Sequence, residues 1–472
     1  MIFNVKDYGA IGDGITLNTK AVQAAINACA EAGGGTVLFP DGEFVLSTVF
    51  MKSNVTVEIS EGAKILGSLN FYDFAPEEDI NYPLYQDVSH SHFNCSLFVG
   101  RLLENIAFIG GGTIDMRAVW DEDNVRKIVN RGPRCIALVG CTNVTVANLG
   151  IYNVTDLAVY FTACENVDIY GLKMRVYIDG VSPDNSKNVR IHDCEIEAGD
   201  DAIVFKSSWN LNKADVCRDI HVWDCVLRSR CSSIKFGTET NGGFENILIE
   251  NIKMSDTRIT GIAIESVDGA IIDGITIRNV EMDNVNAPLF IHLGTRMRGP
   301  KGREIGRIRN VTIENVKAHG PYHEYEIIET YYRTFKWDDP IQYPWVFYGK
   351  MNPENPLTKL DDAKFEAAKL NRYSDWQMTS NVCGLPGIPL ENITLRNFEF
   401  LLDGGCQSFN PDVPDAHGGY PEVYVYGSIL PAKGIFFRHI DGLTLENIKV
   451  DTYRPDIRED LVFDDVANLT RV

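Results

Sequence analysis

No stretch of this chain approaches the roughly 18 consecutive apolar residues that a membrane-spanning helix needs, so a bundle of such helices is not expected. Basic residues are scarce: 44 Lys and Arg stand against 65 Asp and Glu, a net charge of −21. Phosphate binding depends on clustered cations, so neither nucleic acid nor an anionic membrane surface is an expected partner. There is no Cys-x-x-Cys pair. The eleven cysteines are scattered singly, several of them (Cys164, Cys194, Cys225) inside apolar phrases. That usage fits buried thiols in a reducing compartment and gives no zinc site, so no metal and no cofactor are expected. The start, MIFNVKDYGAIGDG, lacks the basic segment and long apolar region of a secretory signal, and a cytoplasmic location is expected. No Pro/Ser/Gly-rich linker interrupts the chain, which predicts a single domain over residues 1–472.

What the chain has instead is a repeated phrase, Asn-apolar-x-apolar-x-Asn/Asp/Gly. It reads NVTVAN from Asn143, NVDIYG from Asn166, NVRIHD from Asn188, NILIEN from Asn246, NVTIEN from Asn310 and NITLRN from Asn392. Looser copies begin at Asp219, Gly274 and Gly442. Most neighbouring copies lie roughly 22 to 36 residues apart, within the range of solenoid periods. Each copy is a short period-2 strand that cannot bury its own apolar face, so stacked coils must create the core. The pattern predicts an all-β fold, a right-handed parallel β-helix. Near the start, LNTKAVQAAINACAEAGGG reads as an amphipathic helix with Val22, Ala25, Ile26 and Cys29 on one face, Asn18 or Thr19 as cap and a stop at Gly33. Its expected task is to plug the open end of the solenoid.

The most chemically informative stretch is YIDGVSPDNSKNVRIHDCEIEAGDDAIVFKS, from Tyr177 to Ser207. Asp179 precedes the adjacent pair Asp200 and Asp201 by about 21 residues, close to one coil. Positions one coil apart stack at the inter-strand spacing of ~4.8 Å, which would crowd three carboxylates onto one patch. Glycosidic bond hydrolysis needs such a set, one acid protonated for the leaving oxygen and others ionised to activate water. A lone Asp-Gly would be read as a turn; three acids in this register favour a site.

These residues carry a resemblance to glycoside hydrolase family 28, the polygalacturonase family. VKDYGAIGDG, GGGTVLFPDGEF, the Gly111–Trp120 segment with Arg131-Gly132-Pro133, the Asp-Gly at Asp179, GDDAIVFKS at Gly199, GTETNGG at Gly237 and ILPAKGIFFRH at Ile429 all resemble its motifs. The resemblance implies an inverting hydrolysis with Asp200 as general acid and Asp179 with Asp201 deprotonating the water. Inverting pairs stand about 6.5–9.5 Å apart and retaining pairs about 5–5.5 Å, so Asp200 is expected beyond the retaining distance from both partners. The departures matter equally. Cys231 stands where the family's Gly-His-Gly histidine is expected, Tyr177-Ile178 replace an Asn-Thr, and Ala263-Ile264-Glu265 replace the Arg-Ile-Lys that pairs with a galacturonate carboxylate. With those cations gone, plain homogalacturonan is expected to be a poor substrate, and Ala263→Arg with Glu265→Lys to restore uronate affinity.

Other residues could re-equip the groove. Lys206 follows the acidic strand, and Lys235 lies in SSIKFG, where a lysine in an apolar phrase points out of the core. Arg230, and His292 with Arg296, lie in segments that flank the cleft in the resembling family, and Cys231, Glu265 and Trp337 join them as substrate-binding candidates. His192, His221 and His439, inside strands, are read as structural. Between about residues 319 and 390 the phrases stop. This insertion carries Trp337, Trp345, Tyr331 and Tyr332, candidates for a sugar-stacking lid, the alternative being a subunit contact in a homo-oligomer. The expected substrate is a short pectin-related or other plant-derived oligosaccharide, cleaved from its end. Two other readings stay open: a β-helix lyase or epimerase on a sugar acid, and a non-catalytic carbohydrate-binding β-helix.

Overall fold

The computed structural model describes residues 1–86, 88–119, 131–320, 378–415, 417–427 and 429–472. The chain divides into two compact units, Met1–Cys225 and Val226–Val472. Both are built from parallel strands.

In the first unit each coil contributes three short strands, and like stacks on like. Val144, Val167, Val189 and Ile220 are register partners in successive coils, as are Val146, Ile169, Ile191 and Val222. A second ladder aligns Ile151, Met174 and Ile196, and a third Ile136, Val159, Val181 and Ile203. All of these side chains are buried, so burial is shared between coils as the repeat requires. The asparagine that opens each phrase has a physical task. Asn143, Asn166 and Asn188 take φ of 56°, 58° and 53°, the left-handed region that asparagine tolerates best among residues with a side chain. Their amides are also hydrogen-bonded from coil to coil, Asn143 to Asn105 at 2.9 Å and Asn166 to Asn143 at 3.0 Å.

The helix Thr19–Glu31 buries the predicted face, Val22, Ala25, Ile26 and Cys29, against the first strands of the unit. Asn18 occupies the cap position without capping the helix. Its side chain instead bonds Ile11 N at 2.7 Å, Ile11 O at 2.9 Å and Thr16 O at 2.6 Å.

The second unit departs from the expected short strands. Its ladder runs through Gly243–Ser266, Ile271–Leu293, Arg307–His319, Leu390–Gly404, Ala432–Arg454 and Glu459–Arg471. The second asparagine of each phrase bends these strands without ending them: Asn251, Asn279, Asn315, Asn397 and Asn447 all have φ between 52° and 57°. A single left-handed residue turns the corner while the hydrogen-bond ladder continues. Residues 321–377, which contain Trp337, Trp345, Tyr331 and Tyr332, lie outside the described residues. The far end of the expected insertion is ladder: Ser380–Cys383 pairs with the strand Ile271–Leu293, Asn381 opposite Phe290 and Cys383 opposite His292. No disulfide joins the cysteines, and all eleven are buried.

Candidate active site

The Asp-Gly turn and the Gly-Asp-Asp turn lie on consecutive coils of the first unit, just ahead of the strands Val181–Asp184 and Ile203–Ser207. Backbone bonds lock them together: Gly180 N donates to Asp201 O at 3.0 Å and Asp200 N to Ile178 O at 3.3 Å. Glycine is required at 180 because a Cβ there would come within 2.5 Å of Ala202 O. The register makes Asp201, 22 residues on, the coil partner of Asp179, and Asp201 N donates to Asp179 Oδ1 at 3.3 Å. Asp179 and Asp201 are each 4% exposed, while Asp200 is half-buried.

One carboxylate oxygen of Asp200 lies within 4.8 Å of one of Asp201. The expectation that Asp200 stands beyond the retaining distance from both partners is therefore not met for Asp201. Adjacent residues on one tight turn leave little room between their carboxylates, so this separation does not reveal the stereochemical outcome.

Burial raises the Asp179 carboxyl to about 6, Asp200 adds to the rise, and Lys206, Arg131 and the Asp201 N–H act against it. Lys206 Nζ stands 3.6 Å from Asp179 Oδ2. Lys206 leaves the core face as expected, yet it is almost fully buried. Several supporting residues, apart from Arg131 of the quoted Arg-Gly-Pro, carried no signal in the sequence. Arg131 Nη1 contacts Asp156 Oδ1 at 3.2 Å and Ser89 Oγ at 3.3 Å, and the buried Arg134 reaches Asp156 Oδ2 at 3.4 Å. Asp184, in register with Lys206, accepts hydrogen bonds from Tyr160 Oη at 2.8 Å, Asn210 Nδ2 at 2.6 Å and Ser208 N at 2.8 Å. Ser89, Arg131, Arg134, Asp156 and Tyr160 precede the acidic motif by 17 residues or more, which is why its spacing alone does not reveal them.

The remaining candidates belong to the second unit. Lys235 is buried, not solvated: its Nζ lies 2.8 Å from Glu422 Oε1 and 3.8 Å from Glu265 Oε1. Cys231 Sγ is 3.9 Å from the same Glu422 oxygen. Ala263 is sealed by Phe290 and Val423, so an arginine there would have no room, and a lysine at 265 would face Lys235. The expected double substitution therefore cannot simply restore a cation pair. His292, in register with Glu265, bonds Tyr426 Oη through Nδ1 at 3.1 Å. Burial, with His417 nearby, lowers it to about 3, so it is neutral at ordinary pH and offers no cation. Arg296 is held by Asp268, with Nη2 2.5 Å from Oδ2 and Nε 3.1 Å from Oδ1. Arg230 is half-buried. Of the histidines read as structural, His192 stacks between Tyr170 and Trp223, and His439 bonds Asp465 at 2.6 Å.

Comparison with known proteins places this geometry in context. A probable polygalacturonase from Vitis vinifera is 27% identical over 277 residues, 55% of this chain and 56% of that protein. An exo-poly-alpha-D-galacturonosidase from Dickeya chrysanthemi is 26% identical over 60% of this chain and 55% of its own length. The chain thus spans little more than half the length of these relatives. Among solved structures, the family 28 exopolygalacturonase of Yersinia enterocolitica superposes with a TM-score of 0.66 at 20% identity, covering 99% of this chain and 78% of that one. The hyperthermoactive exopolygalacturonase of Thermotoga maritima gives 0.62 at 18% identity, covering 86% and 87%. Both likenesses are to the right-handed parallel β-helix, which is the fold of this protein. The profile of glycosyl hydrolases family 28 matches residues 29–325, a span that holds Asp179, Asp200 and Asp201. On that match over more than half its length, the chain belongs to glycosyl hydrolases family 28.

Proposed function

We propose that this protein is a glycosidase that hydrolyses short pectin-related or other plant-derived oligosaccharides from the chain end, with inversion, and that plain homogalacturonan is a poor substrate. The observation that carries the reading is the stacking of Asp179 and Asp201 on consecutive coils with Asp200 beside them. Asp200, the most exposed of the three, gives its proton to the leaving oxygen. Asp179 and Asp201 hold the water and accept its proton. Exo action follows the names of the Dickeya, Yersinia and Thermotoga relatives. The substrate restriction follows from Ala263 and Glu265, since a fixed cation makes a uronate bond about twice as strong as a neutral one and here a carboxylate stands in its place.

The reading is tested by offering the protein intact oligosaccharides from homogalacturonan and from pectin side chains. Reducing sugar should appear fastest from neutral-ended oligomers, with no absorbance from an unsaturated product. Rapid hydrolysis of homogalacturonan would sink the restriction, and an unsaturated product would make the protein a lyase. Proton NMR of the first-formed product should show the anomer opposite to the substrate's; the substrate's own anomer would point to a covalent intermediate on a carboxylate.

A pH dependence follows from Asp179. As a base it works only when ionised, and its carboxyl is raised to about 6. The kcat/KM of the free enzyme should therefore fall about tenfold per unit as pH drops below about 6. An acid limb near 4, the ordinary carboxylate value, would exclude Asp179 from that role.

A further inference from the structure

A lysine is seldom buried without a partner, yet Lys206, on the strand Ile203–Ser207, is 4% exposed. Two carboxylates of the first unit compensate it. Asp179 Oδ2 lies 3.6 Å from its Nζ, and Asp184 is its register partner on the preceding coil. Burial raises the Asp184 carboxyl, against which act Ser208 N–H, the hydroxyls of Tyr160 and Thr162, and the charge of Lys206. The ammonium is thus shared between two buried acids, one at the catalytic turn and one in the network of Tyr160, Asn210 and Ser208.

The two acids are not held alike. Asp184 receives hydrogen bonds from that network, whereas 3.6 Å is beyond hydrogen-bond reach, so Lys206 acts on Asp179 Oδ2 through charge. That difference suits a base. A tight hydrogen bond from the lysine would compete with the water for the same oxygen, but a nearby charge favours ionisation and leaves the lone pairs in place. Burial is the largest influence on the Asp179 carboxyl, and Lys206 is the largest that opposes it. Asp200 adds to the rise, while Arg131 and the Asp201 N–H also oppose it. Arg131 is partly exposed and engaged by Asp156, so its field is screened. The field of buried Lys206 is screened much less.

We propose that Lys206 is a positioning residue for the reaction: its ammonium, shared between Asp179 and Asp184, keeps Asp179 ionised by charge alone, as a base that must still hold a water. The proposal rests on the assignment of Asp179 as base argued above. It gives Lys206 a task other than contact with the sugar.

The main readout needs no substrate. Protein labelled at the aspartate carboxyl carbon is titrated by NMR, and the Asp179 signal is identified as the one lost in Asp179→Asn. In wild type its midpoint should lie at about 6. Lys206→Gln removes the charge and keeps a polar side chain of similar length; it should move the midpoint up by about one pH unit or more, since an opposite charge this close shifts a carboxyl by about 1–3 units. Lys206→Arg keeps the charge and should hold the midpoint within about half a unit of wild type. A lysine that only fills space, or only touches the sugar, would leave the Asp179 midpoint unmoved in folded Lys206→Gln, and that result overturns the proposal. If Lys206→Gln does not fold, Lys206→Arg decides: a midpoint within that half unit upholds the role of the charge, and a larger move overturns it. The acid limb of kcat/KM on galactose-ended, xylose-ended or galacturonate-ended oligosaccharides should move with the NMR midpoint. A limb that stays in place while the midpoint moves removes Asp179 as the base and this proposal with it. A wild type that hydrolyses none of the three removes the substrate reading, while the NMR comparison still decides the hold of Lys206 on Asp179.

Discussion

Replacing Asp200 by Asn is expected to lower kcat by on the order of 10² to 10⁴, the usual range for a lost general acid or base. Asparagine keeps the outline of the side chain but cannot supply the proton that a departing sugar oxygen requires. Asp200 is half-buried and at a turn, so the change leaves the ladder untouched. Asp201→Asn and Asp179→Asn should fall into the same range by a different route, loss of the base that activates water. Asn at 179 still offers Asp201 N an acceptor in place of the present 3.3 Å bond to Oδ1. Steady-state rates on one verified substrate decide the matter. Near wild-type turnover in all three variants would mean that the chemistry is done elsewhere.

The second large effect is on stability. Lys235→Met should destabilise the protein by about 3–5 kcal/mol, because Glu422 and Glu265 would stay buried without the cation between them. Removing the charges together should behave differently: Lys235→Met combined with Glu422→Gln and Glu265→Gln should regain much of that loss, since uncharged groups of similar shape do not carry the same desolvation cost. Urea midpoints of the single and triple variants measure the difference. A single variant as stable as wild type would show that the three groups do not form the buried charge cluster described.

Much of the fold was legible because its signals are local. An asparagine at a left-handed corner followed by alternating apolar residues is visible in six phrases, and Asn143, Asn166 and Asn188 do turn the chain where they stand. The same rule misjudged the second unit, where Asn251 and Asn279 bend a strand without ending it; the phrase is the same whether or not the ladder continues. Asp179, Asp200 and Asp201 could be found because one coil separates them, a distance that sequence preserves. Lys235 could not be placed correctly. Alternation puts it on the outward face, which is right, but its burial depends on Glu422 and Val423, nearly 190 residues later. Asp156 and Ser89, which hold Arg131, are hidden for the same reason. Contacts made by segments lying over a regular sheet leave no period to read.

The assignment of Asp200 as proton donor can be tested by changing the leaving group. A sugar alcohol leaves only when its oxygen is protonated, whereas an activated aryl group of low pKa leaves without a proton. On an aryl glycoside of the same sugar, Asp200→Asn should recover to within about tenfold of wild type, while Asp179→Asn and Asp201→Asn remain slow because water must still be activated. Equal loss on both leaving groups in Asp200→Asn, or recovery in Asp179→Asn instead, would contradict the account.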